Sequence, residues 1–319
     1  MKVGSGSMVE EPTAGDDLEA KHSSAGHKLG QLVGDWIEEY FVLPLLAKVA
    51  ERLELYLDHR FKNRPARGEK ILWRDEEGND VAYDFVMELG GGDNKIGLPV
   101  GFFESFWRRG KRHSKDKARD DSGKLAPMRE TYPTARFLGI IATGDFTRPA
   151  RTLVQSHNID LFYIPKAKIV AAFQQVGLQV DYPDTMLELD KAVLADSFER
   201  GVTETVKREA ATRLIDLVST AVIEGYADRV RAALRALPQE IRFIARKDSA
   251  PRVFETTAEA TAFLEHPEFE FSDPTESYVY QVTFSDGTEF QRAVPSLEAL
   301  RALHSQIVAL ETHMARIRA

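Results

Sequence analysis

Two acidic residues in neighbouring apolar segments are the residues of this sequence best suited to chemistry. Asp84 stands in the apolar segment 81–89 and Glu104 in the segment 100–107. A carboxylate is costly to bury among apolar residues unless it has a partner. Hard anionic oxygens are the ligands that hold Mg²⁺ against a phosphate, so the pair indicates metal-assisted hydrolysis of a phosphodiester.

A dense basic run follows Glu104 directly. Residues 105–119 include seven Lys or Arg side chains and one acid, in a chain whose formal net charge is −8. A run of this kind either contacts phosphates or forms an ordinary solvated helix face. The nearness of Glu104 favours phosphate contacts, which we assign to Arg108, Arg109, Lys111, Arg112 and His113.

Composition excludes several other classes of protein. The sequence has no cysteine, which rules out disulfides, thiolate metal sites and cysteine nucleophiles. Its net charge of −8 argues against a protein that coats nucleic acid indiscriminately. No segment has the ~20 uninterrupted apolar residues of a membrane helix. We therefore expect a cytoplasmic protein without a membrane segment, and the triple glycine at 90–92 lacks the Gly-Lys-Ser/Thr that would make it a phosphate loop.

The elements that must position these residues follow from the period of the apolar pattern. Residues 27–61 have helical spacing, and Pro44 is expected to kink that helix or split it in two. Later segments alternate between strand and helix patterns: strands at 70–74, 81–89 and 100–107, a helix at 114–121, a strand at 136–142, a helix at 149–157, a strand at 159–164 and a helix at 166–176. Strands joined by crossover helices predict an α/β fold, with a mixed sheet flanked by helices.

The chain divides into three regions by composition and pattern. Residues 1–26 are rich in Gly, Ser, Glu and Asp and are predicted to be a disordered leader. Residues 27–183 form the predicted core, and residues 184–319 an α+β region. This region has a predicted helix at 203–237, a short strand at 241–246 and a hairpin around Ser285-Asp286-Gly287. This last region serves dimerisation or DNA recognition, or its hairpin is an ordinary half-buried sheet.

The arrangement resembles the PD-(D/E)XK nuclease superfamily, which includes many type II restriction endonucleases. The resemblance covers roughly residues 27–180 and rests on Asp84, Glu104 and the cationic helix within a helix, three strands, helix, strand order. It implies a restriction-endonuclease-like fold with Asp84 and Glu104 as Mg²⁺ ligands. It also implies an endonuclease for double-stranded DNA that acts as a homodimer, because a palindromic site presents two equivalent bonds.

One position departs from that pattern. The superfamily has a lysine two residues after the glutamate, and this sequence has Phe106. The substitute cation is Arg108, Lys115 or Lys117, of which we favour Lys115 and then Lys117, because the compact charge of lysine suits an attacking water. Further metal contacts are expected from Glu38, Glu39 and Glu88.

Two other classes of function stay open at this point. Phe106 is compatible with a DNA-binding protein that has lost catalysis on a decayed nuclease fold. The basic run is also compatible with a protein-interaction module that binds an acidic partner. Metal-dependent cleavage distinguishes the nuclease from both.

Overall fold

A computed structural model of the chain describes residues 24–245, 250–267 and 277–318. The predicted leader falls almost entirely on residues 1–23, outside the described part, and the last residue of the predicted strand 241–246 also lies outside it. Ser24 is the N-cap of the first helix, where its side chain accepts a hydrogen bond from the His27 amide.

The N-terminal helix is interrupted by a π-helical segment. Helix α1 (Ala25–Ile37) buries one apolar face, and the π-helical segment Glu38–Val42 leads directly into α2 (Leu43–Arg52). Pro44 lies in the first turn of α2, where a missing N–H is tolerated. The helical pattern predicted through residue 61 is wrong at its end, because α2 stops at Arg52, and the interruption lies at Glu38–Val42, just before Pro44.

The main sheet has five strands. Its order is β1 (Tyr56–His59), β4 (Phe85–Leu89), β5 (Leu98–Arg108), β6 (Phe137–Gly144) and β7 (Asp160–Pro165). The pairs β1–β4 and β4–β5 are antiparallel, while β5–β6 and β6–β7 are parallel. The predicted strand 81–89 is split at Asp84, because its first part, β3 (Asp80–Tyr83), pairs with β2 (Ile71–Arg74) in a separate hairpin.

Helices cover both faces of this sheet. Helices α3 (Ser114–Thr131) and α4 (Arg148–Ser156) pack on one face, and α1 and α5 (Lys166–Gln175) on the other. Strand β5 supplies both cores, because alternate residues point to opposite faces. Phe102 and Phe106 pack toward α3, whereas Phe103 packs toward α1. The predicted α/β class, with a mixed sheet between helices, is confirmed.

The C-terminal half adds helices and a second sheet. Helices α6 (Glu188–Gly201), α7 (Glu204–Val218) and α8 (Thr220–Leu234) follow the main sheet. The predicted helix 203–237 is broken at Ser219, whose φ of 82° no regular helix accommodates. The remaining elements are β8 (Pro238–Ala245), β9 (Arg252–Phe254), α9 (Thr257–Glu265), β10 (Tyr278–Phe284), β11 (Glu289–Val294) and α10 (Leu297–Arg318).

The two halves share one continuous apolar core. Side chains of α1, α5, the second sheet and α10 belong to the same buried cluster. Arg136, in the segment before β6, also donates hydrogen bonds to Asp286 at the tip of the β10–β11 hairpin. This hairpin is thus a packed structural element. Within the described residues, no helix is both long and apolar enough to cross a membrane.

Candidate active site

Asp84 and Glu104 meet across two antiparallel strands. The β4–β5 register pairs Phe85 with Phe103, and continuing it by one residue sets Asp84 opposite Glu104. Asp84 accepts a hydrogen bond from the Ser105 amide at 2.8 Å through Oδ2. Asp84 lies between the end of β3 and the start of β4. Glu104 lies in the middle of β5, and only 2% of its surface is exposed.

A third carboxylate comes from the π-helical segment. Glu38 is the first residue of that segment, and its side chain is 12% exposed. Its Oε2 accepts a hydrogen bond from Arg60 Nε at 2.9 Å. Burial and the nearby charge of Asp84 raise the pKa of Glu38 to about 7, against the opposing effect of Arg60. Glu38 therefore belongs to the same electrostatic cluster as Asp84.

Helix α3 brings two lysines and a fourth carboxylate to the site. Lys117, Asp121 and Lys124 are spaced by four and three residues, so they share one face of the helix. Lys117 Nζ lies 2.7 Å from Asp121 Oδ1, and Lys124 Nζ lies 3.3 Å from Glu104 Oε2. Lys117 Nζ also lies 5.3 Å from the centre of the Phe106 ring. We call Glu38, Asp84, Glu104 and Asp121, with the two lysines, the acidic cluster.

Burial dominates the electrostatics of the acidic cluster. Burial, followed by the charges of Asp84 and Asp121, raises the pKa of Glu104 to about 8. Burial likewise raises the pKa of Asp84, although the Ser105 amide and Lys117 oppose the shift. The pKa of Asp121 is raised by burial too, against Lys117. At neutral pH the cluster therefore retains protons that a bound cation would displace.

Two oxygens of the acidic cluster are left unsatisfied. Glu104 Oε1 and Asp121 Oδ2 are buried and receive no hydrogen bond from the described residues. The cluster borders a groove of about 610 Å³ whose lining includes Glu38, Ser105, Phe106, Arg108, Arg112 and Lys117. Unpaired buried carboxylate oxygens beside an open groove are the arrangement expected of a cation site.

Three of the predicted site residues lie outside the acidic cluster. Lys115 is exposed on α3, two residues before Lys117 and therefore on another side of the helix. Glu88 is fully buried and bound by Arg64 at 2.5 and 2.8 Å, four residues along the strand from Asp84 and beyond a register shift after Met87. Glu39 is not among the residues that line the groove, unlike its neighbour Glu38. The structure therefore does not bring Lys115, Glu88 or Glu39 together with the acidic cluster.

The predicted phosphate-binding residues do not form one uniform surface. Arg108, Arg109 and Arg112 line the groove, and Lys111 is exposed beside it. Arg109 is also engaged within the protein, because it donates to Tyr182 O at 2.9 Å, pairs with Asp184 and stacks on the Tyr182 ring. His113 has a left-handed backbone with φ of 61°, and its ring lies 3.2 Å from Asp116.

Sequence reasoning missed Asp121 and Lys124. It ended the helix at residue 121, although α3 continues to Thr131 with Pro127 inside it. The available signal was the spacing Lys117, Asp121, Lys124, which defines a single helical face once the helix is extended. Both residues then reach toward Glu104.

The acidic cluster fits a cation that keeps much of its water shell. Among the residues described here, no three His, Asp or Glu side chains are grouped so that they could hold a metal ion by themselves. Mg²⁺ usually binds through one or two carboxylates, several waters and the phosphates of its substrate. Asp84 and Glu104, with the unsatisfied Oε1, meet that requirement, and Glu38 lies within electrostatic reach of Asp84.

Comparison with known proteins identifies no relative of this chain. No family model, no curated protein and no solved structure matches it. Its site must therefore be interpreted from its own geometry.

Proposed function

We propose that this protein is a Mg²⁺-dependent endonuclease that hydrolyses phosphodiester bonds in double-stranded DNA, with a restriction-endonuclease-like core. The single observation that carries the proposal is the convergence of Asp84, Glu104 and Lys117 beside one groove, which Lys117 lines. Two carboxyl groups buried this deeply are costly to the fold unless something binds them. The strand order around them supports the resemblance to the PD-(D/E)XK superfamily.

Asp84 and Glu104 are the proposed ligands of the cation. When bound, Mg²⁺ supplies Lewis-acid activation of the phosphate and of a water. The Ser105 amide orients Asp84 for this task through its hydrogen bond to Oδ2, at 2.8 Å. The carboxyl group of Glu104 loses the proton that its raised pKa retains, because only the carboxylate is a ligand.

Lys117 is the proposed substitute for the lysine that the superfamily has at the position of Phe106. It lines the groove, and its side chain is 22% exposed, so it can contact a phosphate or water without leaving the cluster. Lys124 is bound to Glu104 and does not line the groove. We infer that Lys117 positions the attacking water or stabilises charge on the phosphate, while Lys124 offsets the charge of Glu104.

Cleavage of plasmid DNA tests this function. The purified chain is incubated with supercoiled plasmid in Mg²⁺, in Mn²⁺ and in EDTA. We expect nicked and linear products only with a divalent cation. Asp84→Asn and Glu104→Gln should each lower the rate by at least about 100-fold, as expected when an essential electrostatic group is removed.

Matched variants separate the acidic cluster from general charge effects. Glu38→Gln removes a carboxylate of the cluster, whereas Glu39→Gln removes its neighbour outside it. Asp80→Asn, at the exposed start of β3, is the corresponding control for Asp84→Asn. The proposal is refuted if Asp84→Asn and Glu104→Gln cleave at the parent rate, or if cleavage proceeds equally in EDTA.

A further inference from the structure

The end of β5 is tied to the start of α4, outside the acidic cluster. Arg108 O accepts a hydrogen bond from the Asp145 amide at 2.7 Å. Gly144 precedes Asp145 and pairs with Arg108 across β5 and β6. Its φ is +99°, and a Cβ at this position would collide with the Arg108 carbonyl. Helix α4 begins three residues after Asp145, at Arg148. The groove-lining Arg108 and the first turn of α4 therefore lie at the same edge of the sheet.

A row of aromatic rings continues from the acidic cluster toward α4. Phe106, below Lys117, packs 5.2 Å from Phe146, measured between ring centres, and Phe146 lies 6.4 Å from Tyr163. The guanidinium of Arg151 lies 4.8 Å from the centre of the Tyr163 ring. A cation thus stands at each end of the row, with Lys117 at one end and Arg151 at the other.

A small polar cavity lies at the α4 end of this row. It has a volume of about 370 Å³, and its lining includes Arg148, Arg151, Thr152, Gln155 and Tyr163. Arg148 is exposed, and Arg151 Nε is buried without a hydrogen-bond partner among the described residues. Neither arginine forms an ion pair with an acid in the described ranges of the chain. Most other arginines between residues 24 and 183 form ion pairs with acidic side chains, as Arg109 and Arg64 do.

We propose that the α4 cavity binds backbone phosphates of double-stranded DNA on one side of the bond that is cut, through Arg148 and Arg151. This inference rests on the proposed function, and it extends the substrate contact from the groove across the end of β6 to α4. Two unneutralised guanidinium groups with a hydroxyl and an amide beside them match a phosphate chemically. Arg112 lines the groove with Lys117, at the opposite end of the row of rings from Arg151. Lys111, its neighbour in sequence, is exposed.

The row of rings limits how far this contact lies from the acidic cluster. The four separations along it bound the distance from Lys117 Nζ to the Arg151 guanidinium at about 22 Å, or roughly six base pairs at ~3.4 Å of rise each. A duplex of 30 base pairs, about 100 Å long at the same rise, is therefore long enough to reach both.

The test is equilibrium binding of a fluorescent duplex of 30 base pairs and mixed sequence, measured by anisotropy in EDTA over a series of NaCl concentrations. The parent chain is compared with the double variant Arg148→Ala/Arg151→Gln, which keeps a long side chain over Tyr163. Arg208→Ala, an exposed arginine of α7 on the α1 side of the sheet, is the matched control. Circular dichroism and thermal unfolding verify that each variant is folded.

We expect the double variant to bind the 30-base-pair duplex at least about 10-fold more weakly than the parent, with the slope of log affinity against log salt smaller by about 2. Arg208→Ala should match the parent within about 2-fold. Equal affinity of parent and double variant for the duplex would overturn the proposal. So would an equal loss in Arg208→Ala, or no binding by the parent.

Plasmid cleavage separates this inference from the proposed function. Salt-dependent binding that the double variant loses, in a chain that cleaves nothing, would refute hydrolysis and uphold the α4 contact. Cleavage with unaltered binding by the double variant would refute the α4 contact and uphold hydrolysis.

Discussion

The ammonium group of Lys117 lies 5.3 Å from the centre of the Phe106 ring, which occupies the place where the resembling nucleases have a lysine. A cation over an aromatic face is attracted by the ring quadrupole, worth roughly 0.5–2 kcal/mol depending on solvent exposure. The aromatic side chain thus holds a lysine from α3 next to Glu104. Under the proposed function, helix α3 supplies the positive charge that those nucleases place on the strand itself.

Replacing Lys115 and Lys117 of α3 one at a time tests which of them acts in cleavage. Lys117→Ala should lower plasmid cleavage by about 100-fold, whereas Lys115→Ala should change it by less than about 3-fold, because Lys115 is exposed away from the cluster. In the double variant Phe106→Lys/Lys117→Ala, a lysine on β5 should restore part of the rate. Initial rates of nicking measure all three. Equal losses from the two single substitutions would contradict the assignment.

Binding of Mg²⁺ should release protons at neutral pH. The pKa of Glu104 is raised to about 8 by burial and by Asp84 and Asp121, so the free protein holds a proton there at pH 7. The cation requires the carboxylate and displaces that proton. Calorimetric titrations in buffers of different ionisation enthalpy should show close to one proton released at pH 7 and much less at pH 9. In Glu104→Gln the buffer dependence should largely disappear, and release that persists there would count against Glu104 as its source.

Stability without metal should fall as the pH rises. A carboxyl group whose folded pKa lies above its unfolded value stabilises the fold fully below pH 4.5, and that contribution is lost as the pH rises through about 8. Glu104→Gln cannot titrate, so in EDTA the parent should lose roughly 2–5 kcal/mol relative to this variant between pH 5 and pH 9, at ~1.4 kcal/mol per pKa unit. Urea unfolding at several pH values gives the difference. Parallel curves for the two proteins would refute the prediction.

The buried Arg64–Glu88 pair should matter for stability alone. Arg64 and Glu88 are both fully buried and bound at 2.5 and 2.8 Å, with Asp58 as a second partner of Arg64. Removing one member of a buried pair costs about 3–5 kcal/mol, because it leaves a charge without its partner. Glu88→Gln should therefore lower the free energy of unfolding by this amount while leaving the Mg²⁺ affinity of the folded protein unchanged. A tenfold loss of Mg²⁺ affinity would instead return Glu88 to the metal site.

The strands next to Asp84 and around Glu104 could be predicted because their sequence signals are local. Each lies in an apolar run of strand length, and the glycine-rich connection between them favours an antiparallel pair. Strand β1 could not be predicted, because residues 53–57 continue the apolar pattern of the preceding helix. Its strand conformation depends on pairing with β4, through the register Tyr56 with Glu88, which only the folded chain provides.

The composition of the acidic cluster was only partly accessible from sequence. Glu38 and Lys117 were among several candidates, and nothing local distinguishes Glu38 from Glu39 or Lys117 from Lys115. The choice depends on which side of a helix faces the sheet, and for Glu38 a π-helical segment alters that phase. Asp121 and Lys124 required the true length of α3, which an unusually polar sequence and Pro127 conceal.

The π-helical segment Glu38–Val42 contains one residue more than the same stretch of α-helix would, so its length determines where Glu38 points. An α-helix advances about 100° per residue, and a π-helical turn absorbs one additional residue within it. Deleting one position there would give an uninterrupted helix, but would rotate Glu38 by about that angle relative to the buried face of α2. Every strand would remain intact while the third carboxylate left the groove, so an indel of one codon here would change the charge offered to a divalent ion.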